Sequence, residues 1–127
     1  SIDLRNSTDA LVDQMADEVK AFAATVAQEH GVDVKIEMVS SYSAIGFHPD
    51  CVDAVARAAA KLGYSNMPVV SGAGHDAVYM AKLTSSGMIF IPCKDGISHN
   101  EIEDAKPEHI TAGCNVLLHA MLERAGS

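Results

Sequence analysis

Two polar segments carry residues whose types could do chemistry: Ser71-Gly72-Ala73-Gly74-His75-Asp76-Ala77 and Gly96-Ile97-Ser98-His99-Asn100-Glu101. Each holds a histidine. A histidine can ligate a metal through one ring nitrogen or donate a proton to a substrate oxygen, and glycines beside it let a ligand approach the backbone. For His75 and His99 both roles stay open on residue type alone. Other readings are weaker. Ser71, His75 and Asp76 have the composition of a hydrolytic triad, but near neighbours on one turn cannot form its relay. Gly72-Ala73-Gly74 lacks both the third glycine of a dinucleotide fingerprint and the Gly-Lys-Ser/Thr ending of a phosphate loop.

The elements that must position these segments follow from the apolar pattern. Each polar segment comes after an apolar run that reads as a short strand, at residues 67–70 and 87–92, the second with the continuous character of a strand buried on both faces. Residues 75–83 have helical spacing, which puts His75 and Asp76 at a helix amino terminus. A polar loop spans 93–105, and Pro107 opens a last helix with Ile110, Cys114, Leu117 and Met121 expected inward.

Upstream, Asn6-Ser7-Thr8-Asp9 supplies cap residues for a long helix with Leu11, Val12, Met15, Val19, Phe22 and Val26 on one face, ended by Gly31. Residues 32–39 alternate like a strand covered on one side, as do Ile2-Asp3-Leu4-Arg5. Pro49 suits the first turn of a further helix, with Val52, Val55, Ala56, Ala59 and Leu62 on its buried face and Gly63 past its end. A strand, helix and strand in about the first forty residues bury too little to be stable alone. They are expected to form half of a domain, with a boundary near the polar connection Ser40-Ser41-Tyr42-Ser43-Ala44. With no initiator Met or lead-in before Ile2, the chain is expected to begin in mid-domain. The fold class expected is α/β.

Composition narrows the function classes. The chain has 127 residues, 48% of them apolar, with nine basic against seventeen acidic residues and a formal net charge of −8. Scattered Lys and Arg in that balance argue against nucleic acid and against an anionic membrane surface. No run approaches the roughly 18 apolar residues of a membrane span, and no signal-peptide pattern opens the chain, so a cytoplasmic location is expected. Cys51, Cys93 and Cys114 are an odd set without Cys-x-x-Cys spacing, read as free thiols rather than a disulfide framework or zinc site.

Ser71-Gly72-Ala73-Gly74-His75-Asp76-Ala77, then Gly87-Met88-Ile89-Phe90-Ile91-Pro92-Cys93, then Gly96-Ile97-Ser98-His99-Asn100-Glu101-Ile102-Glu103 together resemble a known signature. It is the carboxyl-terminal signature of the N-carbamoyl-L-amino acid hydrolases, a family that includes β-ureidopropionase and allantoate amidohydrolase and is related to zinc-dependent aminoacylases and exopeptidases. Ile2-Asp3-Leu4-Arg5 is similar to the family's lid strand, so the resemblance covers the whole chain.

The resemblance implies a partial catalytic domain of zinc-exopeptidase-like fold at 43–127 and half of a ferredoxin-like lid and dimerisation domain at 1–42. It implies that His99 is the last metal ligand, that His75 contacts the scissile group of the substrate, that Arg5 grips the substrate carboxylate, and that Gly74 borders the substrate. Asn100 and Glu101 are expected to support the His99 loop without a catalytic role. The implied enzyme hydrolyses small-molecule N-carbamoyl-L-amino acids or N-carbamoyl-β-alanine, with allantoate as the alternative substrate. It uses two divalent metals, zinc or manganese, and a glutamate base, and it works as a homo-oligomer. The glutamate and the other ligands would lie in an amino-terminal part outside these 127 residues. The chain alone is therefore expected to retain no metal and to be inactive, and a catalytically silent fragment or assembly module is the competing expectation.

Overall fold

The computed structural model describes residues 1–126, and the chain divides into two units. The first comprises Ser1–Ile45 and Val70–Gly74; the second comprises Gly46–Val69 and the described residues from His75 onward.

In the first unit, α1 runs over Asp9–His30. Thr8 is the cap residue in extended conformation, and Gly31 stops the helix at φ 62°. A Cβ at Gly31 would meet nothing within 4 Å, so the requirement there is the left-handed backbone rather than space. The Val32 N–H closes the end on the Ala27 carbonyl at 3.1 Å. At the other end Asp9 accepts the Ala44 N–H at 2.7 Å, tying the segment after residue 40 to the start of the helix. The expected apolar face is present but thinly covered. Val12, Met15, Val19 and Val26 are half-buried, while Leu11 and Phe22 are exposed, Phe22 by 71%. Ile2, Leu4, Met15, Val19 and Phe22 border an open hollow of about 410 Å³.

The second unit is organised by α2 (Pro49–Lys61) packed on α4 (Pro107–Ala125). Both begin with proline, whose missing N–H is harmless in a first turn. His48 caps α2 by accepting the Asp50 N–H through Nδ1 at 3.3 Å. Between the helices the buried residues are Ala54, Ala58, Ala59, Val116 and Ala120, with Val55, Leu62, Tyr64 and Ile89 packed around them. Small side chains let two helices approach closely, so the tightest contact is made of alanines. Gly113 of α4 allows a close approach of a different segment, since a Cβ there would lie 2.7 Å from Cγ2 of Ile91. At the helix edge Arg57 donates to Glu123 from Nε at 3.0 Å and from Nη2 at 2.6 Å. That pair holds the Glu123 carboxyl below its ordinary value and raises Arg57. Helix α3 is short, Asp76–Ala81, and a turn of 3-10 helix covers Lys94–Gly96.

Three expectations need correction. The inward face of α4 is not Ile110, Cys114, Leu117 and Met121. Those residues line an open groove of about 460 Å³ with Cys51, Val55, Ile89 and Ile91, and the face toward α2 is Val116 and Ala120. On α2 the buried residues are Ala54, Ala58 and Ala59, whereas Val52 is 42% exposed and Ala56 is exposed. Of the expected α2 face, Ala59 is buried, and Val55 and Leu62 pack at the edge of that core.

The third correction concerns strands. Among the described residues no segment forms a strand, so 2–5, 32–39, 67–70 and 87–92 carry the strand pattern without a ladder. A strand exists by bonding its backbone to a neighbour roughly 4.8 Å away, and these segments meet none. Residues 32–39 keep a two-residue period in that Lys35 and Glu37 form an ion pair, yet Val34 is 51% and Val39 is 95% exposed. Among the described residues the expected ferredoxin-like half-lid therefore forms no paired sheet of its own. No helix among the described residues is long and apolar enough to cross a membrane.

Candidate active site

Arg5 lies in the first unit, with its guanidinium ordered from two directions. Nε and Nη2 donate to Oδ2 of Asp3 at 2.9 and 2.5 Å, and Nη1 donates to the Gly72 carbonyl at 2.7 Å. The hydrogen bond to Asp3, followed by the attraction of its charge, raises Arg5; the same bond lowers the Asp3 carboxyl. Beyond these contacts Arg5 keeps one N–H on each terminal nitrogen, since a guanidinium has five donors and three are used. Asp3 and Arg5 are two residues apart, which in an extended chain puts them on one face.

The loop that receives Arg5 is Ser71-Gly72-Ala73-Gly74. The Ala73 N–H donates to the Ser71 hydroxyl at 3.2 Å, which shapes the turn. A Cβ at Gly72 would sit 3.8 Å from the Arg5 side chain, an ordinary contact, whereas one at Gly74 would meet nothing within 4 Å. Neither packing nor a positive φ demands glycine at 74. Bare backbone at such a position suits the close approach of a ligand.

In the second unit His75 is the cap residue of α3, at φ −137° and ψ 151°, and its carbonyl accepts the Val78 N–H at 3.0 Å. Its half-buried ring meets Phe90 edge to face, with centroids 5.5 Å apart and planes at 65°. Such a contact restricts rotation of the ring. Phe90 belongs to the apolar run 87–92, and its role against His75 was not legible in that run.

His99 stands in the loop between the 3-10 turn and α4, exposed, with φ +55°. Its backbone N–H donates to Oε2 of Glu103 at 2.7 Å. Asn100 accepts the Ile102 N–H through Oδ1 at 3.2 Å, as expected of a residue supporting this loop. The supporting carboxylate, however, is that of Glu103 and not of Glu101.

Imidazole suits a divalent metal, so His99 fits as a single donor. Among the described residues no three His, Cys, Asp or Glu side chains come together as a metal centre, and a catalytic metal normally takes about three protein ligands.

Comparison with known proteins shows which family the chain is in. Residues 4–123 match the sequence pattern of peptidase family M20/M25/M40. The chain belongs to this family. Among its relatives, the N-carbamoyl-L-amino-acid amidohydrolase of Rhizobium meliloti is 44% identical over 98% of this chain and 30% of its own length. The ureidoglycolate hydrolase of Arabidopsis thaliana is 30% identical over 91% of this chain and 25% of its own. A crystal structure of an amidase of the hydantoinase/carbamoylase family from Burkholderia multivorans superposes with a TM-score of 0.93 at 48% identity, over 96% of this chain and 30% of that one. The chain thus spans about 30% of the length of the Rhizobium and Burkholderia proteins it matches.

Proposed function

We propose that this chain is part of a metal-dependent amidohydrolase that cleaves the carbamoyl C–N bond of N-carbamoyl-L-amino acids or N-carbamoyl-β-alanine, giving amino acid, ammonia and carbon dioxide. The observation that carries the proposal is the likeness to the Rhizobium enzyme along nearly the whole chain. Residues 1–42 then belong to a lid and dimerisation domain, and 43–127 to an α/β catalytic domain whose sheet pairs with strands outside these residues. The enzyme acts as a cytoplasmic homo-oligomer.

In this reading Arg5 binds the free carboxylate of the substrate. Asp3 and Gly72 hold the guanidinium in place, so its remaining donors are preorganised. Gly74 offers backbone without a side chain where the substrate passes. His75, restrained by Phe90, donates a hydrogen bond to the carbamoyl oxygen as negative charge builds there. His99 contributes one ligand to a divalent metal, zinc or manganese, of which the intact site holds two. When bound, that metal supplies an activated water and polarises the carbonyl.

Ammonia release by the whole enzyme, measured on a panel of substrates, tests the proposal. N-carbamoyl-L-α-amino acids and N-carbamoyl-β-alanine should be turned over, and chelation should stop the reaction. Turnover of allantoate alone would favour the second reading, of an allantoate-type amidohydrolase. No turnover of any of the three by the whole enzyme would overturn the proposal.

A further inference from the structure

His99 carries an imidazole on backbone that an L-residue seldom adopts, at φ +55°. Something must hold it there. The loop is closed at its base, where the Lys94 N–H donates to the Asp104 carbonyl at 2.7 Å and the Ile97 N–H to the Lys94 carbonyl at 3.0 Å. At its tip the Glu103 N–H donates to the Asn100 carbonyl at 2.9 Å, which folds Glu103 back toward His99. Its carboxylate then accepts the His99 N–H at 2.7 Å, a short bond of the charge-assisted kind.

We propose that Glu103 is the positioning residue for His99: by accepting its backbone N–H it fixes the left-handed turn and so the direction in which the imidazole leaves the loop. The proposal rests on the reading of His99 as a metal ligand. Glu103 acts only through the backbone. A ligand whose backbone can relax offers its ring nitrogen over a wider range of directions, which weakens metal retention without altering the ligand itself. A glutamine can still accept the same N–H through its amide oxygen, whereas alanine cannot.

The test uses the whole enzyme with Glu103→Gln, Glu103→Ala and, as control, Glu101→Ala. Two quantities are followed: hydrogen exchange at the peptide containing the His99 amide, and zinc affinity by chelator competition. Glu103→Ala should speed that exchange and weaken zinc each by about tenfold or more, the scale of a lost charge-assisted bond. KM should change little and the melting temperature should hold. Glu103→Gln should recover most of both losses, and Glu101→Ala should match the parent. Unchanged exchange and zinc affinity in Glu103→Ala would overturn the proposal, as would a general fall in melting temperature that Gln does not repair. A His99→Ala variant separates the two claims: zinc retained there refutes the ligand reading, while the exchange measurement still decides whether Glu103 holds the turn.

Discussion

Arg5 shows how one side chain can be fixed yet still available. Asp3 and the Gly72 carbonyl take up three of its N–H groups from different sides. In the whole enzyme Arg5→Lys should raise KM for carbamoyl amino acids by about tenfold or more, because an ammonium cannot reproduce the paired donors, and preference over the carboxamide analogue should fall. Steady-state kinetics on acid and amide would show it; an unchanged preference would remove Arg5 from the site. The alternation of Ile2-Asp3-Leu4-Arg5 puts Asp3 and Arg5 on one face of an extended segment, but their pairing is a finding of the structure. The Gly72 partner, 67 residues away, was not legible at all, because local pattern says nothing about which distant carbonyl a side chain will meet. Glu103 falls in between. It stands four residues after His99, and only the reversal of the loop at Asn100 brings it back, whereas the sequence alone points to the nearer Glu101.

At the scale of elements, helix ends were written in the sequence: Thr8 and Gly31 bound α1, His48-Pro49 opens α2, and Pro107 opens α4. Which face each helix buries was less legible, because alanine and glycine give a weak apolar signal while permitting the closest contact. Strand alternation was legible as well, but a ladder needs a partner that alternation does not name. Two glycine substitutions test the packing. Gly113→Ala should gain about 1 kcal/mol from helix propensity and lose about 1–3 kcal/mol from overpacking against Ile91, for a net loss of about 1 kcal/mol. An Ile91→Leu background, which moves the branch away from Cβ, should recover it. Gly74→Ala should leave denaturant unfolding unchanged, since its Cβ meets nothing within 4 Å, and should lower turnover only if substrate passes there.

For the whole molecule, the decisive feature is how much apolar surface stays uncovered. Ile2 is 69%, Phe22 71%, Val39 95% and Leu83 82% exposed, while the buried side chains among the described residues are four alanines and one valine. Surface of that kind seeks cover, so these 127 residues alone should self-associate, and their melting temperature should rise with concentration. A monomer by light scattering, with a melting temperature independent of dilution, would contradict this. The central claim is that His99 and His75 do different jobs in one metal-dependent hydrolase. Bound metal and kcat, measured side by side on His99→Ala and His75→Ala variants of the whole enzyme, test it most directly. His99→Ala should lose metal and turnover together. His75→Ala should keep its metal and lose roughly 100- to 1000-fold in kcat, the scale of a missing oxyanion donor. Equal metal loss in both variants, or full metal in His99→Ala, would contradict the account.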